Sequence, residues 1–292
     1  MAVVEVNNLS YVYSKKTPYQ KLALDGVSFT VEKGEFFGIV GATGSGKSTL
    51  ISHLNVLNKP QSGSVVVLGK DCSVKKNFLS IRFGVGMVFQ YPEYQLFEDT
   101  VAKDVAFGPK NMKLSKEEID RRVKEALDLV GLPFETYGQR SPFELSGGEK
   151  RRVAIAGVIA MEPEILVLDE VAAGLDPEGR EDILKLIKTL QREKCPTIVL
   201  VSHNMDDVAA LCDRILVMSN GKVKFLDTPK EVFKNVKEMS ELGLGLPTAT
   251  RIQVELASRG VRFDDVCITL DELADCIAKN NTADDKEDDY VS

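Results

Sequence analysis

The sequence is poor in the residues that build metal centres and disulfide frameworks. It has two histidines, His53 and His203, which are too few for a histidine-rich metal site. Its five cysteines are odd in number and form no C-x-x-C pair, a pattern typical of reduced thiols. No run approaches about 18 consecutive apolar residues, so no membrane-spanning segment is predicted. The first ten residues show no secretory signal, and we expect a cytosolic protein.

The chain also lacks an excess of positive charge. Among 292 residues, 37 are basic and 44 are acidic, which gives a formal net charge of −7. The segment 284–289 supplies −4 of this charge, and we expect 284–292 to be a solvated acidic tail. A protein that neutralises nucleic-acid phosphates needs the opposite balance, so no nucleic-acid partner is predicted.

Hydrophobic periodicity predicts a fold of the α/β class. Residues 3–31 alternate in polarity, which predicts short antiparallel strands. Three apolar runs, 36–40, 164–168 and 197–201, are typical of buried strands. Residues 182–191 lie between the last two runs and have helical spacing. This β-α-β order predicts parallel strands with a crossover helix.

Most of the remaining sequence is predicted to be helical. Residues 110–160 include apolar residues at helical spacing, which follow a capping box formed by Ser115 and Glu118. Residues 215–226 instead predict a hairpin that turns at Asn-Gly. After Pro229, two short helices are expected, near 248–259 and 270–279.

Residues Gly41–Ser48, G-A-T-G-S-G-K-S, match the phosphate-loop pattern G-x-x-x-x-G-K-[ST] between a strand and a helix. Backbone N–H groups of such a loop surround phosphate oxygens. Lys47 is predicted to neutralise the β- and γ-phosphates and Ser48 to bind Mg²⁺. The glycine spacing does not fit G-x-G-x-x-G, which disfavours a dinucleotide site. The pattern therefore predicts a nucleoside triphosphate site.

Residues 165–170, I-L-V-L-D-E, predict a buried strand that ends in two carboxylates. Ligands collect at this edge of an open α/β sheet. Asp169 is predicted to bind Mg²⁺, and Glu170 to accept a proton from an attacking water. A strand that ends in a solvated acidic turn has the same pattern, but the phosphate loop favours the catalytic interpretation.

Residues 145–149, L-S-G-G-E, resemble the signature motif of the ATP-binding cassette (ABC) ATPases. Ser146 and the N–H groups of Gly147 and Gly148 are predicted to open a helix with an anion-binding end. The resemblance implies that this end faces the γ-phosphate bound by another subunit, so that the complete site needs a dimer. It also implies ATP and Mg²⁺ as ligands and ATP hydrolysis as the activity.

The same resemblance implies roles for four further residues. Gln90 resembles the Q-loop glutamine, which contacts Mg²⁺ and the attacking water, and His203 resembles the switch histidine, which contacts the γ-phosphate. Asp176 resembles the D-loop aspartate at the dimer interface, and Tyr13, or alternatively Tyr11, the aromatic that stacks on adenine. The full expected set comprises the catalytic residues Glu170, His203 and Gln90, the metal ligands Ser48, Gln90 and Asp169, and the nucleotide-binding residues Tyr13, Gly41, Ala42, Thr43, Gly44, Ser45, Gly46, Lys47, Ser48, Thr49, Ser146, Gly147, Gly148 and Asp176.

For the whole chain, the resemblance implies a nucleotide-binding domain at 1–228 with a mixed sheet core and an antiparallel β subdomain. A helical subdomain is inserted at about 90–160. Residues 229–283 are expected to form a small C-terminal helical extension, for which the resemblance favours contacts with the partner subunit.

A narrower resemblance covers residues 88–111, where F-Q-Y-P-E-Y-Q-L-F is followed by A-F-G-P-K-N. These segments are similar to the ATPase subunits of energy-coupling factor (ECF) importers of vitamins and metals. The segments L-G-L-P-T-A-T and L-A-S-R-G agree with this. The implied partners are a second ATPase subunit, a transmembrane coupling subunit and a membrane substrate-binding subunit. The implied location is peripheral, at the cytoplasmic face of the cell membrane.

Within the ECF family, the A-A-G-L-D-P segment with an intact L-S-G-G favours the second of two related ATPases, and hence a heterodimer. A cobalt or nickel importer whose ATPase forms a homodimer is an alternative, as is a soluble ABC ATPase not tied to transport. ABC ATPases of DNA repair or translation usually carry coiled-coil insertions or two cassettes, and the sequence shows neither. A non-hydrolysing regulator is expected to lack Glu170 or His203, and both are present.

Two positions depart from the usual family pattern, and one segment has an open interpretation. Glu149 stands where Gln is common and is expected to cap the helix equally well. Val171 stands where Pro is common, which is expected to loosen the turn and change the hydrolysis rate. The segment 92–97, P-E-Y-Q-L-F, predicts either a docking element for the coupling subunit or local packing onto the helical subdomain.

Overall fold

The computed structural model describes the backbone of residues 1–287 and the side chains of residues 1–279. The predicted acidic tail, 284–292, therefore lies outside the residues with described side chains, and from 288 outside the described backbone. Among the described helices, none is both long and apolar enough to cross a bilayer.

The strands form two sheets, and helices of 4 to 18 residues connect and cover them. The strands are β1 Ala2–Tyr13, β2 Lys21–Glu32, β3 Phe36–Gly41, β4 Ser62–Val67, β5 Lys70–Asp71, β6 Val85–Val88, β7 Ile165–Asp169, β8 Thr197–Val201, β9 Arg214–Ser219 and β10 Lys222–Asp227. The helices are α1 Lys47–Leu54, α2 Phe78–Gly84, α3 Val101–Val105, α4 Phe107–Asn111, α5 Lys116–Leu129, α6 Phe134–Tyr137, α7 Gly147–Ile159, α8 Pro177–Glu193, α9 Met205–Leu211, α10 Pro229–Phe233, α11 Val236–Glu241, α12 Thr248–Ser258 and α13 Leu270–Glu287.

The central sheet has six strands in the order β10-β9-β3-β8-β7-β6. Strands β6, β7, β8, β3 and β9 pair in parallel, and β10 pairs antiparallel with β9 through the predicted Asn-Gly turn. The buried-strand predictions are confirmed to within one residue. The carboxyl ends of β3, β7 and β8 meet at one edge, because the ladder aligns Asp169 with Val201 and Ile39 with Val201.

The second sheet has four antiparallel strands in the order β2-β1-β4-β5. The prediction of several short strands before residue 32 is wrong, since β1 and β2 each extend over 12 residues. Asn8 has a positive φ of 51°, and the β1–β2 register shifts between Val6 and Leu9. A bulge of this kind bends and twists a strand without ending it, so β1 continues through Asn8.

The hydrophobic core lies on both faces of the central sheet. Alternate residues of β3 point to opposite faces, so Phe36 and Val40 pack against the helices and Phe37 and Ile39 pack against the antiparallel sheet. The helical half of the core includes residues from α5, α7 and α8. The α/β architecture with an antiparallel β subdomain is confirmed.

Two helix predictions need correction. Ser115 accepts a hydrogen bond from the Glu118 backbone N–H at 3.3 Å, but the Glu118 carboxylate binds Arg121 and Arg122. The capping box is therefore only half formed, because the arginines compete for the carboxylate. The helices α10 and α11 were not predicted from the sequence. Each covers at most six residues, which is too short to show a clear helical repeat of apolar residues.

The region after residue 229 divides into two parts. The first part packs on its own domain, because Phe233, Met239 and Leu244 belong to the main core. The second part, α12 and α13, has a small cluster of its own that contains Ala249, Cys267 and Leu273. Contact of this region with a partner subunit, which the resemblance favours, stays a prediction.

We expect Met239→Ala to lower the free energy of unfolding by about 2–5 kcal/mol, because the side chain is fully buried and its removal leaves a cavity. Ile252→Ala is the matched control, since Ile252 is 40% exposed on α12. Its cost should stay within about 1 kcal/mol. Urea denaturation followed by circular dichroism measures both. Equal, small losses would show that α11 does not belong to the main cooperative unit.

Candidate nucleotide-binding and catalytic site

The phosphate loop begins where β3 ends, and two of its glycines are required by close backbone approaches. A Cβ at Gly41 would lie 2.4 Å from the Met218 carbonyl oxygen. A Cβ at Gly46 would lie 2.6 Å from the Ala23 carbonyl oxygen, and Gly46 also has a φ of 110°. The loop is thus tied to β9 and β2 at contacts that only glycine permits.

Lys47 is the first residue of α1, and its ammonium group is held inside the loop. Nζ donates to the carbonyl oxygens of Gly41 at 2.7 Å and Ala42 at 3.2 Å. Burial lowers the pKa of Lys47, while the nearby charges of Glu170 and Asp169 act in the opposite direction. The ammonium group therefore lies between the loop and the two carboxylates at the end of β7.

Tyr13, and not Tyr11, lines the cavity at the phosphate loop. The cavity has a volume of about 160 Å³ and is lined by Tyr13, Lys21, Ala23, Gly44, Gly46, Lys47, Ser48 and Thr49. The Tyr13 hydroxyl lies 3.2 Å from Thr49 Oγ1, and its side chain is 41% exposed. The Tyr11 ring packs on buried His53, with ring centroids 4.9 Å apart. This placement favours Tyr13 as the adenine-stacking residue.

The three predicted catalytic side chains lie together, with Glu170 between the other two. Gln90 Nε2 donates to Glu170 Oε2 at 2.9 Å, and His203 Nε2 lies 2.7 Å from Glu170 Oε1. Gln90, Glu170 and His203 follow β6, β7 and β8, which are neighbours in the sheet. Both carboxylate oxygens of Glu170 are thus engaged, and the group has a fixed orientation.

The backbone at Glu170 is strained. Its φ is 52°, a left-handed conformation that costs a non-glycine residue about 1–3 kcal/mol. The Glu170 N–H donates to the Val201 carbonyl at 3.0 Å, which extends the β7–β8 ladder into the turn. The strained turn directs the Glu170 side chain towards Gln90 and His203.

The residues predicted to bind Mg²⁺ supply suitable donor atoms. Burial and the adjacent Glu170 charge raise the pKa of the Asp169 carboxyl to about 6, and Lys47 acts in the opposite direction. A cation beside such a carboxyl favours its ionised form. Since the Gln90 Nε2 group donates to Glu170, the side-chain carbonyl oxygen of Gln90 is the atom that can bind a cation. Together with the Ser48 hydroxyl, these are the oxygen ligands that Mg²⁺ prefers.

The signature segment opens helix α7 with a complete capping box. Ser146 Oγ accepts from the Glu149 N–H at 3.3 Å, and Glu149 Oε2 accepts from the Ser146 N–H at 2.8 Å. The Tyr137 hydroxyl donates to Glu149 Oε1 at 2.9 Å. Glu149 thus caps the helix as expected, and its second oxygen anchors α6.

The signature and the phosphate loop lie at different cavities of the same chain. Ser146, Gly148 and Asp176 line a cavity of about 400 Å³. Asp176 also caps α8, because its Oδ1 accepts from the Gly179 N–H at 2.8 Å. No residue of the described part lines both this cavity and the one at the phosphate loop. The signature and the phosphate loop of one chain therefore line separate cavities.

The segment 92–97, for which docking and local packing were both predicted, contains exposed and buried side chains. Tyr94 is 84% exposed and Phe97 is 56% exposed, and the Phe97 ring packs on the Phe107 ring with centroids 5.0 Å apart. Leu96 is buried, and the Glu93 carboxylate forms a bidentate ion pair with Arg151. The available surface is therefore aromatic, and Glu93 is not part of it.

Two residues near the site, Lys21 and Arg151, were not predicted from the sequence. Lys21 is the cross-strand partner of Tyr13 and lines the phosphate-loop cavity. No motif contains it, so only the strand register places it there. Arg151 lies on the buried stripe of α7 with Ile155 and Ile159. Arg151, Ile155 and Ile159 follow one another at four-residue spacing, which places them on one face of a helix. From the sequence alone, this spacing could have indicated that Arg151 is buried.

A family model described as ABC transporter matches residues 24–173. The chain belongs to the ABC transporter family. Among curated proteins, it is 49% identical to the energy-coupling factor transporter ATP-binding protein EcfA2 of Clostridium perfringens, over 95% of this chain and 99% of that protein. It is 52% identical to the EcfA2 protein of Clostridium acetobutylicum, over 88% and 90% of the two chains. These relatives confirm the resemblance to ECF ATPases.

Solved structures of ABC ATPases share the fold. The cbiO1 protein of Clostridium perfringens, part of the ABC transporter complex cbiONQ, is 39% identical with a TM-score of 0.73, over 88% of this chain and 99% of that one. The ATP-binding cassette MJ0796, solved as a dimer with ADP and phosphate, is 31% identical with a TM-score of 0.68, over 77% and 98%. The ABC ATPase fold is thereby confirmed.

We expect Lys47→Ala to weaken ATP binding by about 10- to 100-fold, because a charge-assisted contact to phosphate contributes about 1.5–3 kcal/mol. Isothermal titration calorimetry on the full chain measures the affinity, and thermal unfolding shows whether the variant is folded. Lys185→Ala is the control, since Lys185 is 67% exposed and pairs with Glu181 on α8. Unchanged affinity of a folded Lys47→Ala variant would place the phosphate site elsewhere.

Proposed function

We propose that this protein is the ATP-binding and ATP-hydrolysing subunit of an ECF-type ABC importer, which drives uptake of vitamins or other micronutrients across the cytoplasmic membrane. The observation that carries this proposal is Glu170, held between Gln90 and His203 beside a phosphate loop. The extensive identity to ECF ATP-binding proteins supports the importer class.

In this proposal, the loop binds the phosphates of ATP through its backbone N–H groups and Lys47. Ser48, Gln90 and Asp169 would hold Mg²⁺, which when bound stabilises negative charge on the transferred phosphoryl group. Glu170 accepts a proton from a water molecule as that water attacks the γ-phosphorus. The bond between the γ-phosphorus and the bridging oxygen breaks, and ADP and phosphate are the products.

Gln90 and His203 orient the base in this reaction. Because their side chains engage both oxygens of Glu170, the carboxylate does not need to reorganise before it accepts the proton. The left-handed turn at Glu170 contributes to the same orientation. Tyr13 lines the side of the cavity where the adenine ring would stack.

The assembly that fits these observations is a dimer in which the signature of one subunit meets the phosphate loop of the other. The two separate cavities of one chain support it. We propose a heterodimer with a related ATPase, and a homodimer of a cobalt or nickel importer is the alternative. Co-purification from native membranes, with mass-spectrometric identification of the bound chains, distinguishes the two. A soluble ABC ATPase not tied to transport would instead purify without membrane subunits.

The aromatic surface of Tyr94, Phe97 and Phe107 is the proposed contact with a transmembrane coupling subunit. It follows Gln90 closely in the chain, so docking there is mechanically connected to the site. The protein would then lie peripherally at the cytoplasmic face of the membrane. A separate membrane subunit would bind the transported substrate.

We expect Glu170→Gln to retain ATP binding and to slow hydrolysis by about 10²- to 10⁴-fold, because the positioned base is lost while size and hydrogen-bonding capacity are kept. Phosphate release is measured with the partner ATPase present, whose own catalytic glutamate is also replaced so that its site does not mask the effect. Turnover close to that of the matched complex with native Glu170 would contradict the role of Glu170 as the base.

We expect Tyr94→Ala combined with Phe97→Ala to reduce uptake and membrane association, because each exposed aromatic anchor contributes about 2 kcal/mol to an interface. ATP hydrolysis by the isolated ATPase dimer should remain within about twofold of the native level. Tyr19→Ala is the control, since Tyr19 is 85% exposed in the turn between β1 and β2. Native uptake by the double variant would make local packing the better interpretation of this segment.

A further inference from the structure

Arg151 is a nearly fully buried arginine on the signature helix. The residue is 3% exposed, and it lies five positions after Ser146 on the face of α7 that packs into the core. A guanidinium group in such a position requires partners for its donors. Arg151 has four hydrogen bonds, and they reach two separate turns of the catalytic site.

The first turn is the one that follows Gln90. Arg151 Nε and Nη2 donate to the two carboxylate oxygens of Glu93, at 3.1 Å and 2.8 Å. Burial opposes ionisation of Glu93, but the hydrogen bonds and the charge of Arg151, together with a backbone hydrogen bond, hold the pKa of Glu93 below its ordinary value. A charged, bidentate pair therefore fixes the position of residue 93 relative to helix α7.

The second turn is the one that contains Glu170. Arg151 Nη1 donates to the carbonyl oxygens of Val171 at 2.9 Å and Ala173 at 3.0 Å. These residues follow the base directly and lead into the D-loop segment. The planar guanidinium group presents its donors in a rigid fork, so the same side chain sets the distance between the two turns.

Both turns contain a residue in the left-handed conformation. Tyr91, next to Gln90, has a φ of 54°, and Glu170 has a φ of 52°. Such conformations persist in non-glycine residues only where the surrounding structure holds them. Arg151 binds Glu93, which is two residues after Tyr91, and the carbonyl oxygen of Val171, which directly follows Glu170. Arg151 therefore restrains both turns directly.

We propose that Arg151, with Glu93 as its counter-ion, is a positioning residue that holds Gln90 and Glu170 in the arrangement required for ATP hydrolysis. The inference rests on the proposed function, because it assigns the hydrolytic roles to Gln90 and Glu170. It also explains how the turn tolerates Val171 where the family commonly has proline. The Val171 carbonyl oxygen accepts a hydrogen bond from Arg151. This hydrogen bond restrains the turn at the position where a proline ring commonly does so in the family.

The test compares three changes at this pair in the full chain, assembled with its partner ATPase. Arg151→Met removes the four hydrogen bonds. Arg151→Lys keeps the positive charge but lacks the planar guanidinium group and its rigid arrangement of donors. Arg151→Met with Glu93→Gln also removes the unpaired buried carboxylate, so that a folded protein is obtained if the single change is too destabilising. The matched control is Arg122→Met, because Arg122 on α5 also binds two carboxylates and a backbone carbonyl, but these belong to Glu118, Glu162 and Met161 and not to the two turns.

Two measurements are made on each variant, namely kcat and KM for ATP and the amide hydrogen exchange of segments 91–97 and 170–176. For Arg151→Met and for the double variant, we expect kcat to fall by about 10- to 100-fold, since a small misplacement of a catalytic group has an effect of this size. KM should change less than about threefold, because no phosphate contact is lost. Arg151→Lys should be intermediate. Exchange should rise in both segments, and Arg122→Met should show neither effect.

The proposal is overturned if the folded double variant retains kcat within about twofold of the native value, or if kcat falls by the same factor in Arg122→Met. If the native complex itself does not hydrolyse ATP, the proposed function fails. The hydrogen-exchange comparison then still decides the inference, because unchanged exchange in 91–97 and 170–176 would show that Arg151 does not hold these turns.

Discussion

The parallel ladder of β6, β7 and β8 is the constraint on which the rest of the site depends. It aligns Leu168 with Val88 on one side and Asp169 with Val201 on the other, so all three strands end at the same level. Gln90, Glu170 and His203 each lie at most two residues beyond their strands. Sheet hydrogen bonds, and not contacts among the polar side chains, therefore bring the three together. The side-chain hydrogen bonds then fix their orientation.

The sequence allowed accurate prediction of features that a short contiguous pattern of residues records. The phosphate loop was predictable because its glycines are required by close backbone contacts, and the buried strands because each contains four consecutive apolar residues, which are stable only in the core. The signature helix was predictable because Ser146 and Glu149 cap it within four residues. In each case a short contiguous pattern of residue types carries the signal, even where the contact that requires the residue is distant, as between Gly41 and Met218.

Features decided by distant contacts were missed or predicted wrongly. The bulge at Asn8 depends on its pairing with β2 and β4, and a helix as short as α11 is stabilised by the burial of Met239 in a core built elsewhere. The half-formed capping box is a local exception, because the Ser115 N–H competes for the Glu118 carboxylate with two arginines only three and four residues further along the helix. Arg151 acts on residues 58 positions before it and 20 after it, which no motif records.

The separation of the signature from the phosphate loop has a consequence for the cell. In the proposed dimer, a newly synthesised copy of the chain that has not yet met its partner holds only half of each catalytic site. In this proposal, such a copy does not hydrolyse ATP, however much of it accumulates. The rate at which ATP is consumed is then set by the number of assembled complexes, and overproduction of one subunit does not deplete the nucleotide pool.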